Sequence, residues 1–440
     1  MRINLLYLIL LLTTVLSAQP DTVSIDFNKI IASGSPLVFG ATQPRGLTEA
    51  NWDTLKAQGV TFARSQADLT RLVPCDSPEE YRANTNGCAD PENWDWQNGI
   101  YGDNFAQRAI DRGMAVCLTI KNARWNRYPG APDDEETMPR DLDVWADMIT
   151  KIVNHHEGGL TYVEMFNEVD RDPQFHVEGS PYTRKTGYQK AVYRALEAVK
   201  ASRYPETQVG GPASALIGEE QIEWLLSDDQ IRPHLGCITF HDFDNPEYPR
   251  KSVQAIKNLM KKYNVDLPIV RSSHVPEFNR NQGMPGTLVS VYEARHVIGA
   301  LKDGLAAQGL WEVQHKSGDD DVRYWFDGDS IVNVAKLYRM MSKTLGLGRG
   351  ESQVVQSEGA FSEILGAVNS DGEKVAVVAA VELATLTLKF NGINSSRVHI
   401  FRADHGHNGV TVLDTIELDD QNTINLTCPK ESVFGIKLSH

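Results

Sequence analysis

Eight short apolar runs alternate with amphipathic stretches between residues 36 and 345 of the chain. Each run is almost continuously hydrophobic, which is typical of parallel strands that are buried on both faces. Two of the stretches between them, Asn51–Gln58 and Asn104–Arg112, are followed by a glycine that can end a helix. The eight runs are Leu37–Ala41, Val60–Arg64, Met114–Ile120, Tyr162–Asn167, Gln208–Pro212, Cys237–His241, Pro268–Ser272 and Gly309–His315.

This alternation predicts the α/β class and, over residues 36–345, a (β/α)8 barrel of the TIM type. An open, doubly wound sheet is the alternative fold. It is disfavoured because no glycine-rich dinucleotide-binding turn follows the first strand. In a barrel of this kind the active site lies at the carboxyl ends of the strands, so the polar residues that end the runs become the candidates for chemistry.

The pattern changes over residues 346–440, where short β-branched segments are separated by turn residues such as Ser370-Asp371-Gly372. Such segments predict an antiparallel β domain, with a β-sandwich as the expected form. Val23, Ile25 and Phe27 alternate with polar residues, so residues 19–35 are expected to supply an N-terminal strand to that domain.

Residues 1–18 have the features of a secretory signal peptide: Arg2, an apolar stretch from Leu5 to Leu12, and small residues up to Ala18. We therefore expect a secreted or periplasmic protein, and no later segment is long enough to span a membrane. A disulfide bond between Cys75 and Cys88 suits this compartment.

The composition narrows the class of partner. The formal net charge is −15, from 43 Lys and Arg against 58 Asp and Glu, which disfavours nucleic acid as a partner. Cys117 and Cys237 lie inside apolar runs and are expected to be buried thiols. Because the chain has no CxxC motif and no His-rich tract, neither a metal nor a cofactor is predicted. The oligomeric state stays open.

The polar residues at the strand ends include Arg64, Asn122, the pair Asn167-Glu168, His241 and Trp311. In its context of Tyr-Val-Glu-Met-Phe-Asn-Glu-Val-Asp, the Asn-Glu pair resembles the signature of the clan of retaining (β/α)8 glycoside hydrolases. The ends of the fifth and sixth runs and the trailing β domain strengthen this likeness, which is greatest to glycoside hydrolase family 39, the family of β-xylosidases and exopolysaccharide hydrolases.

The resemblance implies an enzyme that cleaves O-glycosidic bonds in a polysaccharide or an oligosaccharide, and the signal peptide predicts that this enzyme is secreted. Glu168 would be the general acid/base, with its pKa raised by burial and a neighbouring carboxylate, and Asn167 would bind the hydroxyl next to the anomeric carbon. The clan places its nucleophile, a Glu, at the end of the seventh strand. Here that position falls on Ser272 or Ser273, and neither can act as a carboxylate.

Three explanations of this departure stay open. Glu277 could supply the carboxylate from the following loop, since four residues can span up to about 14 Å. The enzyme could instead be inverting, with Asp242 or Asp244 as base, or take help from the substrate. In the third explanation the barrel has lost hydrolysis and only binds carbohydrate.

The remaining candidates have both a functional and a structural interpretation. Arg64 and His241 could position a carboxylate, and Trp125 and Trp311 could stack on sugar rings; each could also be a packing residue of the barrel. Asn122 is a further substrate-binding candidate. A cluster of Lys121, Arg124 and Arg127 could bind an acidic or sulfated sugar, or be a solvated group of charges.

Overall fold

The computed structural model describes most of the chain, and its described residues form a closed barrel of eight parallel strands. This confirms the TIM barrel, and each of the eight apolar runs contains or overlaps one strand. The described residues are 21–43, 47–100, 104–171, 175–215, 218–243, 245, 247–275, 286–311, 326–327, 330–331, 333–359, 361, 363–403 and 408–439. The barrel strands are β2 (Gly40–Thr42), β3 (Phe62–Ala67), β4 (Ala115–Ile120), β5 (Leu160–Met165), β6 (Gln208–Ser214), β7 (Cys237–Asp242), β8 (Ile269–His274) and β9 (Ala307–Trp311).

The helices surround the barrel and begin at identifiable caps. The side chain of Asp141 accepts hydrogen bonds from the first turn of the helix Leu142–His155, which buries an apolar face that includes Trp145 and Ile149. The helices are α1 (Glu49–Ala57), α2 (Leu69–Leu72), α3 (Pro78–Ala83), α4 (Phe105–Asp111), α5 (Leu142–His155), α6 (Arg184–Ala201), α7 (Glu219–Leu226), α8 (Arg250–Lys262), α9 (Gly286–Asp303) and α10 (Asn333–Tyr338), which continues into one π-helical segment, Arg339–Thr344.

A small apolar cluster near the amino ends of the strands closes the interior of the barrel, so the barrel is a packed core rather than a pore. Its buried members are Phe62, Cys117, Tyr162, Cys237, Val270 and Ala307. The two cysteines are therefore buried thiols, as predicted, and burial raises the pKa of each well above its usual value. Gly210 is required beside them, because a Cβ at this position would clash with the Cys237 sulfur.

The described β domain is one continuous sheet of nine strands in the order β17-β16-β19-β14-β13-β12-β1-β15-β18, so the two-sheet sandwich is not confirmed. β1 lies inside this sheet, antiparallel to β12 and parallel to β15. The strands are β1 (Asp21–Gly34), β12 (Ser352–Glu358), β13 (Ile364–Val368), β14 (Lys374–Ala380), β15 (Ala384–Asn391), β16 (Arg397–Arg402), β17 (Asp414–Glu417), β18 (Thr423–Cys428) and β19 (Ser432–Ser439); a separate hairpin joins β10 (Phe326–Asp327) to β11 (Ser330–Ile331).

One face of the nine-stranded sheet packs against the barrel and the other against its own core. Leu365, Val375 and Val377 belong to the same buried cluster as the barrel helices, and α9 contacts β1, β13, β14 and β19. Ile25, Val378 and Ile436 belong to the separate core of the domain. The barrel and the sheet therefore share one continuous apolar interface.

The disulfide bond between Cys75 and Cys88 is confirmed, and it closes a loop that packs beside α5. Within the described residues no helix has the length and apolarity needed to cross a membrane. The predicted signal peptide, residues 1–18, lies outside the described residues. The proposed domain limits at residues 18, 35 and 345 stay predictions.

Candidate active site at the carboxyl ends of the barrel strands

Glu168 lies just beyond β5 in a backbone conformation that side chains rarely adopt. Its φ is 56°, and Phe166, two residues earlier, has a φ of 64°. Such left-handed conformations are uncommon for residues other than glycine and are costly unless the surroundings hold them. The backbone N–H of Glu168 donates to the carbonyl oxygen of Ala213, at 2.9 Å, and Phe166 is fully buried. The hydrogen bond to Ala213 and the burial of Phe166 therefore hold the turn that carries Glu168.

Glu168 is 7% exposed, and each oxygen of its carboxylate lies close to a nitrogen atom. Nδ1 of His241 lies 3.1 Å from Oε1, and the guanidinium of Arg171 lies 3.0 Å from Oε2. Burial alone would raise the pKa of Glu168, but the hydrogen bond to His241 and the charges of Arg171 and Arg64 outweigh it, so the pKa is lowered. The expected rise in this pKa is wrong for the unliganded protein, because cationic partners face the carboxylate.

A second buried carboxylate, Glu164, lies deeper in the barrel on β5. It is fully buried and accepts hydrogen bonds from Arg64 at 2.7 Å, Thr119 at 2.7 Å and Ser272 at 2.7 Å. Burial would raise its pKa, but Arg64, His241 and the two hydroxyl donors lower it to about 2. Glu164 is therefore ionised and saturated with donors, and the sequence analysis did not identify it.

Arg64 connects this inner carboxylate to the Asn-Glu pair. Its guanidinium donates to Glu164 and, at 2.9 Å, to the amide oxygen of Asn167, which also accepts from Gln66 at 3.0 Å. Two donors on one amide oxygen fix the orientation of the Asn167 side chain. The structure therefore brings together four of the predicted site residues: Arg64, Asn167, Glu168 and His241.

A β-bulge in β8 determines which residues of the seventh barrel strand face the interior. Phe240 pairs with Arg271 and His241 pairs with Ser273, so Ser272 is the extra residue. Ser272 points inward to Glu164. Because of the bulge, Ser273 is the register partner of His241. Glu277, the predicted alternative carboxylate, lies outside the described residues.

Asp242, the other candidate base, faces away from Glu168. It follows His241 on β7, and successive side chains of a strand point to opposite faces. Its carboxylate lies 3.3 Å from Arg271, which also contacts His296 and Gln308 behind the strand. Burial raises the pKa of Asp242 to about 6 despite Arg271. The side chain of Asp242 therefore points away from Glu168, which argues against Asp242 as the base of an inverting mechanism. Asp244 lies outside the described residues.

Two further predicted binding residues are engaged in packing. The amide nitrogen of Asn122 donates to the backbone of Asn126 at 3.0 Å and so braces the loop after β4. Trp125 stacks on Tyr81, with ring centroids 6.2 Å apart, and packs against the apolar core. Both residues support the loop, and the structure does not bring them to Glu168.

Trp311 reaches the site through an aromatic contact. Its ring lies edge-on to Phe243, with centroids 5.9 Å apart, and Phe243 lies edge-on to His241, at 5.4 Å. The indole N–H of Trp311 donates to Gln43 at 3.0 Å, which holds the ring in place. A row of three rings therefore runs from the carboxylate of Glu168 toward β9, and its middle ring, Phe243, is not among the site residues predicted from the sequence.

The expected basic patch after β4 is neutralised by an acidic segment, residues 133–136. Lys121 lies 2.7 Å from Glu136, Arg124 lies 2.9 Å from Glu135, and Arg127 pairs with Asp133. These ion pairs engage the cluster within its own loop and favour a structural role over the binding of acidic sugars. The described residues contain no group of three or more His, Cys, Asp or Glu that could hold a metal ion.

Solved structures share this architecture at low sequence identity. A glucosidase from Croceicoccus marinus superposes with a TM-score of 0.71 at 14% identity, covering 96% of this chain and 99% of that one. A glycoside hydrolase family 30 subfamily 8 xylanase from Clostridium acetobutylicum gives 0.66 at 14% identity, over 95% and 100% of the two chains. A family 44 xyloglucanase from Paenibacillus polymyxa gives 0.66 at 13% identity, over 96% and 100%.

No protein-family model matches the chain, and no curated protein matches its sequence. At identities of 13% to 14% the structural likeness establishes the shared barrel-and-sheet fold, and the activity must be argued from the site. The likeness agrees with the clan of barrel glycoside hydrolases and does not single out family 39.

Proposed function

We propose that this protein is a glycoside hydrolase that cleaves O-glycosidic bonds of a polysaccharide or an oligosaccharide, with Glu168 as general acid/base. The observation that carries the proposal is the placement of Glu168 at the carboxyl end of β5, in a strained turn, with His241 on one oxygen and Asn167 beside it. Strained backbone conformations are concentrated at functional sites.

The chemistry follows from this arrangement. A protonated carboxyl at this position would donate to the leaving oxygen, a contribution of about 10²- to 10⁴-fold in rate. The amide oxygen of Asn167 is held by Arg64 and Gln66, so its NH2 group lies on the other side of the amide. That group would bind a sugar hydroxyl near the anomeric carbon, a contact that strengthens as charge develops.

Extracellular carbohydrate is the expected substrate, because the chain begins with a predicted signal peptide. The structural neighbours include a xylanase, a xyloglucanase and a bifunctional glucanase-xylanase, so xylan, xyloglucan and β-glucan are the first substrates to test. Phe243 and Trp311, which are partly exposed beside the buried His241, would offer aromatic surface against which a sugar ring can pack.

A carbohydrate-binding barrel without hydrolysis is the second candidate. It is favoured by Ser272 and Ser273 at the place of the nucleophile and by the lowered pKa of Glu168. The inner carboxylate of Glu164 cannot take over, because it is fully buried and bound by three side chains.

One experiment separates the two candidates. The protein is incubated with a glycan panel, and both affinity and release of reducing ends are measured. We expect hydrolysis that falls at least 10²-fold in Glu168→Gln with binding retained, while Glu417→Gln on the exposed strand β17 serves as the matched control. Full activity of Glu168→Gln contradicts the assignment, and binding without any released reducing end favours the second candidate.

A further inference from the structure

Arg171 is a half-exposed cation beside the proposed general acid. Its guanidinium lies 3.0 Å from Oε2 of Glu168, and its side chain is 48% exposed. The cations after β4 pair with the acidic segment of their own loop, whereas Arg171 pairs with the carboxylate that is proposed to carry out the chemistry. A ligand at the carboxyl ends of the strands can therefore reach the charge of Arg171.

The backbone that carries Arg171 is fixed, although the side chain is not buried. The guanidinium of Arg184, in the first turn of α6, donates to the carbonyl oxygen of Val169 at 2.6 Å and to that of Arg171 at 3.2 Å. The carboxylate of Asp170 accepts the backbone N–H of Ala215 at 2.7 Å. Arg171 therefore presents its planar fork of N–H donors from a defined position, and such a fork can bind two oxygens of one acidic group at once.

The contact between Arg171 and Glu168 opposes the role that we propose for Glu168. A general acid must hold a proton, yet the hydrogen bond to His241 and the charges of Arg171 and Arg64 lower the pKa of Glu168. Arg64 on β3 is 1% exposed and His241 on β7 is 2% exposed, so both stay beside the carboxylate. Arg171 can turn toward a ligand, and its influence on Glu168 is the one that ligand binding can remove.

We propose that Arg171 binds an acidic substituent, a carboxylate or a sulfate ester, on the sugar that leaves with the glycosidic oxygen, so that the enzyme selects anionic glycans. This inference rests on the proposed function and names its substrate class. The distance fits, because a general acid lies about 2.6–3.2 Å from the atom that it protonates. A guanidinium 3.0 Å from the same carboxylate is then within the width of one sugar ring of the leaving oxygen.

The charges balance when such a substrate binds. In the unliganded protein the ionised carboxylate of Glu168 compensates the charge of Arg171. In the complex the acidic substituent takes over the guanidinium, and Glu168 takes up one proton from the solvent and becomes the neutral acid. A neutral glycan offers no group in exchange, so Arg171 stays on Glu168 and keeps its pKa low.

The formal net charge of −15 does not exclude an anionic substrate of this kind. Charges in physiological salt are screened beyond about 8 Å, whereas the proposed substituent is in direct contact with Arg171. Nucleic acid differs in this respect, because it needs positive charge along the whole length of its backbone.

The test compares three derivatives of xylan, xyloglucan and β-glucan at the same degree of substitution: the neutral hydroxyethyl ether, the carboxymethyl ether and the sulfate ester. On a hydrolysed backbone we expect kcat/KM for an anionic form to exceed that for the hydroxyethyl form by about 10-fold or more, as a charge-assisted pair contributes. The two anionic arms distinguish a carboxylate from a sulfate. No preference for an anionic form on any hydrolysed backbone would overturn the inference and leave the proposed function standing, whereas no hydrolysis of any glycan would overturn both.

Substitutions of Arg171 test whether this side chain causes the preference. Arg171→Gln should abolish it, and Arg171→Lys, which keeps the charge without the planar fork, should retain part of it. Arg349 is 46% exposed and pairs with Asp371, so Arg349→Gln is the matched control and should retain the full preference. A folded Arg171→Gln protein, checked by circular dichroism, that keeps the full preference would overturn the inference.

The pH profile of kcat gives a readout that a purely structural role of Arg171 would not change. Because kcat reports the acid within the substrate complex, its basic limb follows the pKa of Glu168 there. In the wild type this limb should lie at higher pH for the anionic form than for the hydroxyethyl form, since the substituent draws Arg171 away from Glu168. In Arg171→Gln the two limbs should coincide. Coinciding limbs in the wild type would overturn the inference.

Discussion

Glu164 supplies the negative charge that makes a buried Arg64 tolerable inside the barrel. The two side chains are 0% and 1% exposed, and their nearest atoms are 2.7 Å apart. A buried ion pair offers little net stability, but removal of one partner leaves an uncompensated charge in a medium of low polarity. Arg64 also holds Asn167, so the orientation of the amide that we propose to bind substrate depends on the same pair.

Glu164→Gln should therefore lower the free energy of unfolding by about 3–5 kcal/mol, measured by urea denaturation at pH 7. The exposed pair of Arg397 and Glu417 is the control, and Glu417→Gln should leave the unfolding curve almost unchanged. Equal stability of Glu164→Gln and wild type would show that Arg64 finds another partner.

The pH dependence of Glu164 has a definite sign. Its pKa in the folded protein is lowered to about 2, below the value of 4.5 for an unperturbed Glu. Its contribution to stability is thus complete above pH 4.5 and is lost as the pH falls toward 2. Acid titration of the wild type should show this loss, and Glu164→Gln should show a smaller one over the same interval.

Arg171 controls how readily Glu168 keeps its proton. Its guanidinium is about half exposed and lies 3.0 Å from Oε2 of Glu168, whose pKa it helps to lower. Arg171→Gln should therefore raise the pKa of Glu168 and move the basic limb of the pH–rate profile to higher pH. Arg124→Gln, which breaks an ion pair with Glu135 instead, is the control. A downward move of that limb would contradict the assigned contact.

At the scale of elements, the strands were predicted well and the interior of the site was not. Strands buried on both faces are readable as apolar runs, and the residues that end them include Arg64, Asn167 and His241. Glu164 was not predicted as a site residue, although its position inside the apolar run Tyr162–Asn167 is informative. A charged side chain in a buried strand needs a partner of opposite charge on another strand. The bulge at Ser272 could not be predicted from the sequence, because it depends on how β8 pairs with its two neighbouring strands.

Behind β8, a buried network joins the strand to α9 and α10. Glu293 on α9 lies 2.7 Å from His274 and 2.7 Å from the hydroxyl of Tyr338, and all three residues are fully buried. Burial raises the pKa of Glu293 to about 7, although Tyr338 and Arg271 act in the opposite direction. Glu293 therefore stays protonated in the folded protein at pH values where the unfolded chain ionises it.

This raised pKa predicts a loss of stability toward neutral pH. The contribution of Glu293 is complete below pH 4.5 and is lost as the pH rises through about 7. Glu293→Gln should flatten this fall, so the difference in Tm between pH 5 and pH 8 should be smaller than in the wild type. A variant with an unchanged difference would assign the pH dependence to another group, such as Asp242.

At the scale of the whole molecule, the barrel is inserted between two parts of one sheet. β1 precedes the barrel in the chain, yet it pairs with β12 and β15, which follow the barrel. The sheet then covers α9 through apolar residues that include Leu365 and Val377. Sequence order alone suggests a barrel with a trailing domain, whereas the pairing makes the two parts interdependent.

This interdependence predicts one cooperative unfolding transition for barrel and sheet. Val377→Ala, at the interface of the sheet with the barrel, should lower the stability of both parts by about 1–3 kcal/mol, because it removes fully buried apolar atoms. Tryptophan fluorescence reports on the barrel, which carries Trp52, Trp145 and Trp311, while far-UV circular dichroism reports on both parts. The two unfolding curves should coincide in the wild type and shift together in the variant. A shift in circular dichroism without a shift in fluorescence would show that the sheet unfolds on its own, and that the shared interface does not couple it to the barrel.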